Sequence, residues 1–214
     1  LDYDDKKIEL PTTILRLKKL IRHYKPSIIH THLFWSTIIG RLACPKNIRL
    51  ISTYHSLLYD PNNKAQYSKK MIWLDKLTYK KRYYTIYISN GVKDIISNTI
   101  GIKDNHSVIY NYVIDEFYNT RSPKLNNLTP IKAVSVGNFR LEKDYPTAIK
   151  GIGKFSPHEI TLDIFGDGKL RKEFEEIIKT ENITNVNLKG RSNQISELLP
   201  NYDLFIMASK FEGF

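Results

Sequence analysis

The sequence holds one cysteine, Cys44. An internal disulfide framework is therefore excluded, and a lone thiol suits a reducing compartment. No apolar run approaches the roughly 18 residues of a membrane span, and no secretory leader is visible. Short repeats and low-complexity tracts are absent, so neither a repeat array nor a biased, unfoldable segment is expected. Two phosphate-binding fingerprints, G-x-x-x-x-G-K-[ST] and G-x-G-x-x-G, occur nowhere. The chain opens on Leu1 and not on Met, and it is expected to be a piece of a longer protein.

What is present is ordinary in bulk and uneven in detail. The 214 residues are 41% hydrophobic and 26% charged, enough for a sizeable core in one domain or two small ones. The net charge is +11. Residues 1–125 hold 21 Lys and Arg against 10 Asp and Glu, whereas residues 126–214 hold 12 of each. The basic excess belongs to the first half. It either attracts something anionic, such as lipid headgroups, nucleic acid or an acidic saccharide, or it only solubilises the surface.

Apolar runs alternate with helical patterns. Thr12 or Thr13 can cap a helix that carries Ile14, Leu17 and Ile21 on one face and ends at Pro26. Residues 27–30, 50–54, 85–89 and 107–111 read as buried strands, and residues 67–82 as a helix. Residues 120–130, with Pro123 and Pro130, read as a linker. The alternation then restarts: strands at 131–136, 162–165, 186–188 and 204–207, with helices opening near Pro146 and over 169–179 and 195–199. Near-continuous apolar strands separated by helices predict parallel sheets covered by helices. The expected architecture is α/β, two Rossmann-like doubly wound units, over residues 1–125 and 126–214.

Three stations at strand ends carry the chemistry. Gly137-Asn138-Phe139-Arg140-Leu141-Glu142-Lys143 leads from a strand towards a helix and offers two cations beside helix-start amides. Gly166-Asp167-Gly168 follows the next strand, and Glu212-Gly213-Phe214 follows the last. Ligands in open α/β sheets bind beyond the carboxyl ends of strands, where glycine lets backbone approach closely. Each station also has a plainer reading: solvated cations, a tight turn needing positive φ, and an acid favoured by a helix dipole.

In order and spacing, these stations resemble the retaining glycosyltransferase family 4, of the two-domain GT-B fold. Val136 to Lys143 resembles the family's Val-Gly-Arg-Leu-x-x-Glu-Lys loop, and Ile164 to Leu170 its Gly-Asp-Gly segment. Leu188-Lys189-Gly190 is similar to its Phe-Leu-Gly turn, and Asp203 to Phe214 to the strand entering its Glu-Gly-Phe-Gly motif. Ile28 to His32, Thr53-Tyr54-His55, Ile88-Ser89 and Ile109-Tyr110-Asn111 resemble blocks of the first domain. The resemblance implies an acceptor-side domain over 1–125 and a donor domain over 126–214. It implies Glu212, His55 and Lys143 as catalytic residues: Glu212 on the transferred sugar, His55 approaching the donor sugar, Lys143 neutralising its diphosphate. Gly137, Asn138, Arg140, Gly166, Gly168, Gly190, Gly213 and Phe214 would join them in binding the nucleotide sugar. Asn138 departs from an arginine in the family's loop, and Arg140 is expected to take its place. A second, spaced glutamate would fall past Phe214, and the family's opening glycine-rich loop would precede Leu1.

The resemblance further implies sugar transfer with retention from a UDP- or GDP-linked donor, with no cofactor and no metal, to a saccharide or lipid-linked acceptor. Cell-surface polysaccharide or glycolipid synthesis at the cytoplasmic face of a membrane is the expected setting. His30 and His32, two apart on a strand, share a face; a metal there is conceivable, but a place lining the cleft is the stronger reading. His23, His106 and His158 read as solvent residues. Lys64, Lys69, Lys70, Lys76, Lys80, Lys81 and Arg82 face Asp75 alone within 64–84. With Tyr67, Met71 and Leu74 turned inward and Trp73 among the lysines, that segment reads as an anionic-membrane contact. A sugar-nucleotide epimerase, a non-catalytic nucleotide-sugar-binding domain and a nucleic-acid module stand as alternatives; against the last, the cations match no nucleic-acid-binding motif.

Overall fold

The computed structural model describes residues 9–63, 67–117 and 129–213. They form two compact units, the first running to Asn111 and including Gly213, the second spanning Tyr112–Glu212. Residues 118–128, most of the expected linker, and Phe214 lie outside the described residues.

In the first unit, helix α1 (Leu10–Tyr24) has Pro11 in its opening turn, where a missing N–H costs nothing. It stops at Lys25, whose φ of 45° is left-handed, directly before Pro26. Four parallel strands follow in sheet order β1 (Ile28–His32), β2 (Arg49–Tyr54), β3 (Tyr84–Tyr87) and β4 (His106–Val108). Between them run α2 (Phe34–Ala43), α3 (Lys69–Thr78) and α4 (Asn90–Ile100). Every crossover steps the same way, and right-handed crossovers then stack their helices on one face. Accordingly α2 touches α3 and α3 touches α4. The covered face buries Leu50, Ser52 and Tyr54 of β2 and Thr85 and Tyr87 of β3. The opposite face leaves His30 and His32 exposed and Ile28 half exposed.

The segment read as a helix over 67–82 is helical only over α3. Ser68 caps it by accepting from the Met71 amide, and Tyr79 leaves the helix in an extended conformation. Its one acid is not a surface residue. Asp75 is fully buried and paired with the guanidinium of Arg41 from α2. Tyr54 Oη donates to Asp75 Oδ2 at 2.7 Å, Tyr59 Oη donates to the same oxygen at 2.5 Å, and Arg41 reaches Tyr54 Oη at 3.3 Å. Burial, and then the Asp75 charge, push both tyrosine hydroxyls above their ordinary range. The strand expected at 107–111 is short: only His106–Val108 pairs with β3, and Tyr110 is exposed. His106, expected in solvent, packs its ring against Tyr87 at 5.8 Å.

The second unit orders its parallel strands β7-β6-β5-β8: β5 (Ile131–Val136), β6 (Ile160–Phe165), β7 (Val186–Gly190) and β8 (Leu204–Phe205). Helices α5 (Tyr145–Ile152) and α6 (Arg171–Thr180) touch each other and cover Leu162 and Ile164. The chain then crosses back through α7 (Ile195–Leu198) to place β8 on the other side of β5. This reversal is a topological switch point, and ligand crevices open beyond the carboxyl ends of the strands that flank one. Those strands are β5 and β8.

Candidate functional site

The loop after β5 is shaped from below by an aromatic cluster. Phe139 is 1% exposed and sits 5.3 Å from Tyr145 and 5.1 Å from Phe174, ring centre to ring centre. With Phe139 drawn into the core, its neighbours Asn138 and Arg140 are left exposed on the rim. A short 3-10 turn over Leu141–Lys143 and the left-handed Asp144, at φ 46°, then deliver the chain into α5.

The glycines approach other backbone. A Cβ on Gly166 would lie 1.9 Å from the Gly137 carbonyl oxygen, and one on Gly168 would lie 2.6 Å from that of Phe139. Gly190 has a φ of 80°, which a side chain would strain. Backbone hydrogen bonds fasten the three loops to one another: Gly137 N–H to Phe165 C=O, Phe139 N–H to Asp167 C=O, and Gly166 N–H to Gly190 C=O, all between 2.8 and 3.0 Å. Gly166 and Gly190 take positive φ, and Gly168 is held by the close approach of the Phe139 backbone. They set the floor of the site.

Lys143 and Glu212 meet at the switch point. Lys143 Nζ donates to Glu212 Oε1 at 2.7 Å, with both side chains about a third exposed or less. Burial opposes the Glu212 charge, but the Lys143 hydrogen bond, the nearby Ser209 hydroxyl and the Lys143 charge outweigh it, so the carboxyl lies below its usual range. Backbone fixes the approach, since Lys210 N–H donates to Glu142 C=O at 2.8 Å and Lys210 Nζ lies 3.3 Å from Asp144. A cation and a carboxylate at a switch point can bind an anion with one and a hydroxyl with the other.

Beside this pair opens a cleft of about 590 Å³ lined by Asn138, Arg140, Asp167, Gly168, Lys169 and Arg191, among others. Arg140 is 64% exposed and 3.8 Å from Glu142. Of the residues expected to bind the nucleotide sugar, Asn138, Arg140 and Gly168 line this cleft; Lys143, Gly190 and Glu212 do not. Lys169 and Arg191 were not singled out from the sequence. Their signal was there: each directly follows a strand-end glycine, Gly168 and Gly190.

In the first unit, His55 belongs to a histidine trio. His32 Nδ1 and His55 Nε2 are 2.8 Å apart, and the rings of His30 and His32 are 4.2 Å apart. His30 Nε2 lies 2.8 Å from Thr53 Oγ1. Burial, then the neighbouring imidazoles, lower the pKa of His30 and His55 below the ordinary histidine value. Gly213 groups with this unit: Ser89 Oγ donates to its carbonyl at 2.7 Å, and a Cβ there would lie 2.2 Å from the His55 carbonyl oxygen. No cluster able to hold a metal ion is found among the described residues. No helix among them is long and apolar enough to cross a membrane.

Comparison with known proteins bears on these features. Residues 4–117 match the family described as Glycosyltransferase Family 4, and residues 117–214 that described as Glycosyl transferases group 1. An uncharacterized glycosyltransferase of Methanocaldococcus jannaschii is 24% identical over 217 residues, covering 92% of this chain. The chain spans 53% of that relative's length. Among solved structures, the sucrose-phosphate synthase of Thermosynechococcus elongatus matches with a TM-score of 0.77 at 19% identity, over 100% of this chain and 58% of its own. TarM, solved also from S. aureus with UDP, matches with a TM-score of 0.75 at 20% identity, over 95% and 40%. Anabaena HepE, solved with UDP and glucose, matches with a TM-score of 0.73 at 15% identity, over 92% and 56%. The fold is of the GT-B type.

Proposed function

Because the chain belongs to the family 4 glycosyltransferases, we propose that it moves a sugar from a nucleotide-sugar donor to a saccharide or lipid-linked acceptor with retention. The observation that carries this reading is the Lys143–Glu212 pair at the carboxyl ends of β5 and β8. A UDP-linked donor is favoured over a GDP-linked one, because HepE and TarM were both solved with UDP. No cofactor takes part in the reading, and the setting is cell-surface polysaccharide or glycolipid synthesis on the cytoplasmic side.

In the proposed reaction the bond between the anomeric carbon and the diphosphate oxygen breaks while the acceptor oxygen bonds to that carbon from the same face. The acceptor's hydroxyl proton passes to the departing diphosphate oxygen. Lys143 stabilises the charge developing on the leaving group, with Arg140 at the rim adding to the field. Glu212 holds a hydroxyl of the transferred sugar, and His55 is assigned to the sugar as well. The test is nucleoside diphosphate release from UDP-sugars by the full-length gene product, with product stereochemistry read by NMR. Glu212→Gln should lower turnover on the order of a hundredfold and leave the fold intact. Full activity in that variant, or an inverted product, would sink the assignment.

A further inference from the structure

The outward face of α3 carries a feature that sugar transfer does not use. At 100° per residue, Lys76, Lys69, Trp73, Leu77 and Lys70 follow one another around the helix over an arc of about 120°. Trp73 is 63% exposed and Leu77 64% exposed, side by side one turn apart, and lysines flank them on both edges. Contiguous apolar surface rimmed by polar residues is a feature of interaction sites.

The charge of this face is uncancelled. The helix's only acid, Asp75, points inward and is taken up by Arg41 and the hydroxyls of Tyr54 and Tyr59. Among the described residues no carboxylate pairs with Lys69, Lys70 or Lys76. Arg82, at first sight a further cation of the patch, is turned away and donates to the carbonyls of Pro45 and Lys46. The inward face is fixed in turn, since Met71 and Ile72 pack on the core formed by Tyr54, Tyr87 and Ile96. The helix therefore presents one orientation, with an apolar centre and a basic border.

We propose that this face docks on an anionic lipid bilayer, with Trp73 and Leu77 seated at headgroup depth and Lys69, Lys70 and Lys76 on lipid phosphates. Tryptophan favours the interface because its ring is apolar and its N–H wants a polar partner. Lysine stems can lie along the apolar residues while their ammonium groups reach the phosphates. A nucleic-acid groove would use the lysines but would leave Trp73 and Leu77 without a purpose. The proposal does not rest on the sugar-transfer reading.

The test uses the Trp35→Phe background, which leaves Trp73 as the one tryptophan among these 214 residues. Vesicles of phosphatidylglycerol and phosphatidylcholine should sediment the protein and shift Trp73 emission to the blue; pure phosphatidylcholine should do neither. Salt at about 1 M, where the screening length is roughly 3 Å, should release it. Each lysine replaced by glutamine should weaken partitioning about fivefold. The triple variant K69E/K70E/K76E should abolish it, and W73A/L77A should weaken it while leaving circular dichroism unchanged. Failure to bind anionic vesicles, or binding that the triple variant leaves intact, overturns the proposal. So does RNA binding lost in the triple variant by a protein that ignores vesicles.

Discussion

Replacing Lys143 with alanine separates a binding residue from a structural one. Among the described residues Lys143 has one charged partner, Glu212, at 2.7 Å. Side-chain exposures of 26% and 33% leave the pair partly screened by water. Such a pair is worth about 1 kcal/mol or less in stability, so Lys143→Ala should unfold in urea within about 1 kcal/mol of the parent. If the ammonium also contacts a diphosphate, the loss there is larger. A hydrogen bond to a charged group contributes about 1.5–3 kcal/mol, which is roughly 10- to 150-fold in affinity. Titration calorimetry with UDP on both proteins measures this directly. Glu212→Gln adds a check of opposite sign, because removing the carboxylate frees Lys143 from its competitor: that variant should bind UDP at least as tightly as the parent. Equal UDP affinity in Lys143→Ala and parent would refute the reasoning, and so would a stability loss matching the affinity loss.

Two further outcomes test the first unit. Asp75→Ala leaves the buried Arg41 guanidinium without its counter-charge, and should cost about 3–5 kcal/mol in urea unfolding; a loss under about 1 kcal/mol would show that the cluster is not held as described. NMR titration of the imidazoles should find His30 and His55 protonating below the ordinary histidine value, with burial and the neighbouring rings as causes. In the window below about pH 6.5 the unfolded chain then binds more protons than the folded one. Stability should fall as pH drops through the folded values, and His32→Ala should move the His55 titration upward; a His55 titration at or above the ordinary value would contradict this.

The alternation of strands and helices was legible because each strand is a short apolar run and each break carries a turn residue. The order of the loops after β5, β6 and β8 was legible for the same reason. Helix α2 is hard to read because no capping side chain marks its start, whereas α4 does carry its signals, Ser89 at its cap and Gly101 at its end. From the sequence Asp75 is only the one acid among the cations of 64–84, because its partner, Arg41, is 34 residues away and only folding joins them. The Lys143–Glu212 pair spans 69 residues and could be expected only through a family resemblance. The cleft cations Lys169 and Arg191 escaped because a lysine or arginine after glycine is ordinary until three strand ends place them together.

The backbone weave of Gly137, Phe139, Gly166 and Gly190 divides the labour among atoms. Main-chain groups hold the strand-end loops together and leave no room for a Cβ at Gly166 or Gly168. The side chains of Asn138, Arg140 and Arg191 are exposed, and Arg140 makes only a loose surface pair with Glu142 at 3.8 Å. Exchanging those three could retune what the cleft selects at little cost to folding, whereas any change at the glycines would disturb every neighbouring loop at once. Selectivity and foldability can thus drift independently in this protein, and a library confined to the rim would explore the first without eroding the second.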